Sequence, residues 1–496
     1  MIPRAWIPLL PLIVTGALFI CACAGIGLSG DLRFGALPRT LVLYFVAAGA
    51  QLGALLWLAR RRGDLSPRAK TLALALVLGV ALVARLSMLS SEPSLSEDAW
   101  RYRWEGLVQA EGVNPYTTPP ADPSLTPLRD AGWLKVNHPE VAAIYGPPLQ
   151  LAFRALAALP GSGLTWFKLA FLVADLGLLA LIVGGLRRRG LDPLWSLIYA
   201  WHPLVVLEVV GQCHLEIVPV AFLVAAIELE GRGRWRLAAL AFGTALASKY
   251  LPLLLLPAFL LLGKSWRTRA SRLGWVLLPG ALCALPYLSA GEGLVAGLGA
   301  YGARWSFNGV GFELLDTGLR RLGLSQALVR AGAPLFIESS RDFDPALHET
   351  WIKIPAKLVV VLVAGWVTLV FARRAPLARG RARHGAVLRA GALGCGLVFL
   401  LGSPTVHPWY ALWVVPFLAG ASPRLRAPAF LFTLLLPLVY EIRIRYTGLP
   451  GTWVEQGWIR AAVWLPPALL AGLALLGPRL VPAMFRGRLF KGWPAG

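Results

Sequence analysis

Acidic residues are scarce in this chain. Only 25 Asp and Glu stand against 48 Lys and Arg in 496 residues, a formal net charge of +23. Charge of either sign is thin as well, at 15% against 57% hydrophobic residues. With a mean hydropathy of +0.64, a water-soluble fold of this length is excluded. In a soluble protein the basic excess would suggest nucleic acid. Here much of it sits in short loops between apolar runs, as the positive-inside rule requires, so no nucleic-acid partner is expected. The cysteines are Cys21, Cys23, Cys213, Cys283 and Cys395, all in or beside apolar segments. Apart from one C-x-C they lack metal spacing and read as small core residues. The first apolar run, Trp6 to Gly27, has no clear A-x-A cleavage site and reads as an uncleaved anchor. Neither an internal repeat nor a soluble domain is visible. Continuous rather than alternating apolar runs leave helices, not a barrel, to satisfy the backbone in lipid.

Those runs fall near 6–29, 40–58, 71–90, 166–186, 194–211, 216–230, 237–248, 250–263, 273–290, 351–372, 386–401, 409–421, 427–442 and 459–479. They predict about 12–14 transmembrane helices. The basic loops, among them "ARRRGDLSPRAK" (59–70), "RRRG" (187–190), "KSWRTRASR" (264–272) and "ARRAPLARGRARH" (372–384), all land on one side, which is therefore assigned to the cytoplasm. The other side receives long loops near 91–165 and 291–350, a turn near 402–408, and 443–458. Two segments depart from simple spanning. The run 237–248 reaches only about 18 Å, well short of a hydrocarbon core of about 30 Å. Lys249, at its joint with 250–263, is placed in a protein-lined cavity or at a thinned interface, and Glu216 is one candidate partner for it. The segment 143–161 is broken by Pro147 and Pro148 and is expected to lie along the interface.

The stretch "SLSEDAWRYRWEGLVQAEGVNPYTTPP" (94–120) brings Glu97, Asp98, Arg101, Arg103 and Glu105 together with Trp100, Tyr102 and Trp104. A carboxylate in apolar surroundings at the membrane edge can act as a base near neutral pH. The same acids also suit the first turn of a helix capped by Ser96. On that helix Asp98, Arg101, Tyr102 and Glu105 share a face. Arg101 and Arg103 are candidates for phosphate oxygens, or for ordinary ion pairs with Glu97 and Glu105. Gly112 is a natural C-cap, and "NPY" (114–116) starts a turn.

"EDAWRYRWEGLVQAEGVNPYTTPPADP", followed by "VNHPEVAAIYGPPLQL", resembles the bacterial polyprenol-phosphate-sugar-dependent glycosyltransferases of the GT-C superfamily, in their mannosyltransferase-like branch. "WHPLVVLEVVGQCHLE" is similar to a further segment of theirs but departs from it at His202 and Leu215, where Asn is usual. "ALASKYLPLLLLP", "RWSFN" and "HPWYALWVVPFL" match others in order. The resemblance implies an all-α polytopic integral membrane protein of GT-C type, one transferase domain over 1–496, with extracytoplasmic loop helices. It implies transfer of a hexose, mannose foremost, from a polyprenyl-phosphate donor to a lipid or glycan acceptor, with inversion and no nucleotide sugar. Asp98 would be the base, with Glu97 beside it. No cofactor is implied, and a divalent metal stays open.

A lipid phosphate at the membrane surface needs cations, and Arg101, Arg103, Lys249 and Arg304 are the candidates. Candidates for sugar and acceptor are Tyr102, Trp104, Asn114, Tyr116, His138, Tyr145, His214, Glu216, Asn308, His407, Trp409 and Tyr410. Each of the rings also suits an interfacial belt. His214 and Glu216 offer only two metal ligands between them. Glu208, inside a helix, is expected to meet His214 or Lys249. The Ala- and Arg-rich composition points to a GC-rich genome and a bacterial inner membrane. A secondary transporter or lipid flippase is the other class that intramembrane charges and short helices allow, and a non-catalytic lipid-binding scaffold is the third.

Overall fold

The computed structural model describes residues 8–161, 163–294, 306–327, 330, 351–445 and 454–476. Among them the chain is helical, and the only extended pairing is an isolated bridge of Phe307 and Asn308 with Thr405. The helices used below are α1 (Leu10–Gly27), α2 (Leu37–Arg61), α3 (Pro67–Ser87), α4 (Asp98–Ala110), α5 (Pro147–Ala157) and α6 (Thr165–Arg188). They continue with α7 (Pro193–Ala200), α8 (Pro203–Gly211), α9 (Ile217–Gly231), α10 (Trp235–Ser248), α11 (Leu251–Leu261) and α12 (Trp266–Ala290). The last are α13 (Val310–Arg321), α14 (Ile354–Arg374), α15 (Arg381–Gly402), α16 (Pro408–Leu418), α17 (Pro423–Ile444) and α18 (Gly457–Leu475).

Nine of these are long and apolar enough to cross a bilayer, and α7 with α8 makes a tenth if the bent pair is one span. This is a multi-pass, all-α membrane protein. Where described, the expected apolar runs are helical, 194–211 as the broken pair α7 and α8, but α9, α10, α11 and α16 are too short to count as spans on their own. The 14 residues of α10 rise about 21 Å. The expected 143–161 segment contains only the 11-residue α5, which starts at Pro147 and packs on α4 instead of crossing.

The broken pair α7 and α8 forms the buried centre, bent by 57° at Trp201–His202. A break frees backbone carbonyls that must find donors in a membrane protein. Neighbouring spans supply them. Gln51 on α2 donates to the Ile198 carbonyl at 2.9 Å, and Arg85 on α3 donates to the Ala200 carbonyl at 2.7 Å. Arg85 is itself neutralised by Asp175 on α6, at 2.5 Å, with both side chains fully buried. Trp201 donates to the Val77 carbonyl.

Side-chain pairs sort the helix ends into two sets. Arg188 and Arg389 share Glu228, Arg272 and His384 share Glu230, and Arg62 meets Asp192. These residues lie in the basic loops or in the helix turns next to them, so the loops gather at one end of the bundle. Loops 28–36, 88–97, 212–216 and 403–407, together with the α4–α5 layer, gather at the other. At that second end lies a cavity.

Candidate functional site

The strap between α3 and α4 is held along its length. Lys168, at the start of α6, donates to the Leu89 carbonyl at 3.2 Å and to the Ser91 carbonyl. The Gln212 side-chain oxygen accepts from the backbone N–H groups of Ser94 and Leu95 at 3.0 and 2.8 Å. Ser94 Oγ accepts from Leu32 N–H. The strap therefore delivers Glu97 and Asp98 at a fixed place. The helix starts at Asp98, with Glu97 rather than Ser96 in the cap position, and Ser96 Oγ accepts from Asp98 N–H at 3.3 Å. Asp98 thus sits in the first turn, where an acid suits the helix dipole.

A cavity of about 790 Å³ opens in front of it. Of the expected site residues, Glu97, Asp98, Arg101, His138, Tyr145, Lys249, His407, Trp409 and Tyr410 line it. Asp98 Oδ1 accepts a 2.8 Å hydrogen bond from the Asn137 side chain. Burial pushes the Asp98 carboxyl up to about 6, with Asn137 opposing, Glu216 adding, Lys249 opposing and Glu97 adding. The other acids on the wall are engaged: Glu97 with Arg443, Glu92 with Lys135 and Glu140 with His138. Among the described residues, Asp98 alone of the lining carboxylates has no Lys, Arg or His side chain within ion-pair distance.

Lys249 caps the end of α10 in an extended conformation. Its ammonium pairs with Glu216 and lies 5.5 Å from the centre of the Tyr410 ring, with 27% of the side chain exposed. The partnership with Glu216 is the one the sequence offered. Gly146 lets the chain beside Tyr145 pass close to this turn, since a Cβ there would stand 1.7 Å from the Ala247 carbonyl oxygen.

Other expectations need correction. Arg101, a candidate for phosphate, is committed to the fold. It donates to Glu105 at 2.8 Å and to the carbonyls of Asn137, His138, Val141 and Ala142, which staples the 137–142 loop to α4. Arg103 pairs with Asp130 at 2.5 Å, away from the cavity wall. Glu97 is no free base, because both of its oxygens are held by Arg443 at 2.7 and 2.9 Å. Tyr102 is buried and stacks on Phe153, and Trp104 is buried against Trp133. Asn114 accepts from Tyr116 N–H and donates to Ser289, and the Tyr116 hydroxyl donates to the Tyr145 carbonyl, so this motif builds the turn. Asn308, at φ 52°, bonds Glu455, Val406 and Trp464 and closes the bridge to Thr405. Arg304 lies outside the described residues.

The rings expected to stack on a sugar stack on one another. His407 lies on Trp409 at 4.2 Å and 6°, with Phe307 behind His407 at 5.1 Å and His214 behind Trp409 at 3.8 Å. Only their edges are left for the cavity. Burial brings His407 down to about 3, so it stays neutral. His214 in turn faces Glu208 at 3.4 Å, as the sequence allowed, and Tyr440 donates to both oxygens of Glu208 at 3.0 Å. Among the described residues no three His, Cys, Asp or Glu side chains are grouped to hold a metal ion.

Two cavity residues escaped the sequence reading. Asn137 was visible in "NHPE" beside His138, but its amide had no known target. Arg443 had one signal, an arginine on the side of the membrane otherwise assigned the non-basic loops.

Residues 22–264 match the family described as alpha-(1→6)-mannopyranosyltransferase, N-terminal domain. Over that segment the chain is similar to a mannosyltransferase. It is 26% identical over 213 residues to alpha-(1→6)-mannopyranosyltransferase A of Mycobacterium tuberculosis. That match covers 41% of this chain and 39% of the relative, so the chain is aligned with well under half of the relative's length. The mannosyltransferase-like segment 22–264 carries Asp98, Asn137, Glu216 and Lys249. Phe307, His407, Trp409, Tyr410 and Arg443 complete the cavity from outside it.

Proposed function

We propose that the protein is a membrane glycosyltransferase that moves a hexose, mannose foremost, from a polyprenyl-phosphate donor to a hydroxyl of a lipid or glycan acceptor. The observation that carries this is Asp98: a carboxylate raised to about 6 and facing a cavity large enough for a sugar beside the cation Lys249. In the proposed reaction the acceptor oxygen attacks the sugar C1 while Asp98 takes the hydroxyl proton. The bond from C1 to the phosphate oxygen breaks, and polyprenyl monophosphate leaves. Attack opposite the leaving group inverts the anomeric carbon. A positioned base contributes about 10²–10⁴-fold to such a step. Lys249, on the Tyr410 side of the cavity, is proposed to meet the donor phosphate. His138 and Tyr145, on the 137–145 side, are proposed to meet the acceptor and sugar.

The basic loops gather at the opposite end of the bundle. By the positive-inside rule that end is cytoplasmic, so the cavity is proposed to open on the extracytoplasmic side of a bacterial inner membrane. Elements from residue 33 to residue 443 line the cavity, and the reading takes the chain as one transferase domain. The break between α7 and α8 invites comparison with a transporter. It is filled, however: Trp201, His202 and Pro203 are buried and His202 bonds Thr433.

The test is transfer from radiolabelled polyprenyl-phosphate mannose by the purified chain to membrane acceptors, with mass analysis of the product. A hexose-extended product supports the reading. Solute flux in sealed vesicles with no glycosylated product would replace it with a transporter.

A further inference from the structure

We infer that Arg443 receives the phosphate of the lipid donor, and that Glu97 is the partner the phosphate displaces from it. This rests on the donor class proposed above.

Glu97 and Asp98 are neighbours with opposite fates. Among the described residues, Asp98 has no Lys, Arg or His side chain within ion-pair distance, while both Glu97 oxygens lie on the two terminal nitrogens of Arg443, at 2.7 and 2.9 Å. That two-pronged fit is one a guanidinium makes equally with a phosphate. The pair is also open. Its side chains keep 29% and 12% exposure, whereas Arg85 and Asp175, a pair serving only the fold, keep 0% each. Both members line the cavity, so an anion entering it reaches Arg443 and can compete with Glu97 for the same two nitrogens.

Position supports the exchange. Arg443 lies in the last turn of α17, against the start of α4 through its contact with Glu97. Arg443, Lys249 and His407 all line the same cavity. A released Glu97 is not stranded. Arg33, on the same cavity, is paired with Asp31 and already senses the Glu97 charge. Arg443 also lies beyond the segment 22–264 that matches the mannosyltransferase family.

The chemistry favours this residue at the leaving group. As the bond from C1 to the phosphate oxygen breaks, the electron pair stays on that oxygen. The lipid phosphate passes from a monoanionic diester to a dianionic monoester. The acceptor oxygen bonds C1 and its proton goes to Asp98. A fixed guanidinium holds the dianion more strongly than the diester, so its effect grows along the reaction.

The test is direct binding of polyprenyl monophosphate to the purified full-length chain, comparing wild type with Glu97→Gln, Arg443→Gln, Arg443→Lys and the Glu97→Gln/Arg443→Gln double variant. Glu97→Gln is expected to bind more tightly. Arg443→Gln is expected to weaken binding by about tenfold or more, the loss of a charge-assisted pair. Arg443→Lys should fall between wild type and Arg443→Gln, and stands in for it if that variant does not fold. The double variant should behave as Arg443→Gln alone. Parallel losses in Glu97→Gln and Arg443→Gln, or wild-type binding in Arg443→Gln, would overturn the exchange. Failure of the wild type itself to bind would remove the donor class on which the exchange depends.

Discussion

The side-chain amide of Asn137 donates a 2.8 Å hydrogen bond to Oδ1 of Asp98. The bond crosses from the 137–142 loop to the first turn of α4, and Arg101 fixes that loop from below through four carbonyls. A hydrogen bond to a carboxylate favours its ionised form. Removing it in Asn137→Ala is expected to move the acid limb of the pH–rate profile upward by about one unit, from a charged hydrogen bond of about 1.5–3 kcal/mol offset by water entry. The measurement is kcat/KM against pH for both proteins. An unmoved limb would detach Asn137 from the base.

The wild-type profile carries its own prediction. Burial raises Asp98 to about 6 from an ordinary 3.8. A general base works only when deprotonated, so activity should be full above that value. As pH falls through it, activity should drop by about tenfold per unit. His407, at about 3, adds nothing to this limb. His138 is also lowered by burial, and His138→Gln should leave the limb where it is. Full activity at pH 4.5 would show that the titrating base is not a raised carboxyl.

Gln212 tests the strap. Gln212→Leu leaves the Ser94 and Leu95 N–H groups without their acceptor in a buried setting. Each buried unpaired donor costs about 1–3 kcal/mol. The expected result is a lower Tm in detergent together with a fall in kcat larger than any rise in KM, because Asp98 loses its fixed position. Wild-type kcat with a lowered Tm would confine Gln212 to stability.

Arg85 and Asp175 form a fully buried pair. Breaking such a pair from one side costs about 3–5 kcal/mol because a charge is left alone, whereas replacing both partners costs much less. Asp175→Leu should therefore lower Tm further than the Arg85→Leu/Asp175→Leu double variant. The Ala200 carbonyl would still lose its donor in the double variant, so a residual loss is expected there. Thermal unfolding of the three proteins checks the order, and equal losses would contradict it.

Much of the architecture was legible because apolar length and basic loops are local signals. The runs gave the helices, and the loops gave the alternation that the Glu228 and Glu230 pairs bear out. Span number was less legible, since α9, α10, α11 and α16 are apolar but short. The first residues of the charge-and-ring stretch, from Ser94 to Arg101, do line the cavity, and Glu216 was one of the partners the sequence offered for Lys249. Which of its residues face the cavity was not legible, because a side chain's partner is set by tertiary distance. Arg101 is spent on carbonyls some 36 to 41 residues away, and Arg443 meets an acid 346 residues distant. His407 and Trp409 looked like a sugar platform until Phe307 and His214 were seen to cover their faces.

The most direct test of the account is single-turnover transfer from polyprenyl-phosphate mannose by Asp98→Asn, with donor binding measured on the same preparation. The substitution keeps the side chain's size and removes its basicity. The account predicts unchanged donor binding and a transfer rate lower by about 10²–10⁴-fold. Transfer at the wild-type rate would contradict it.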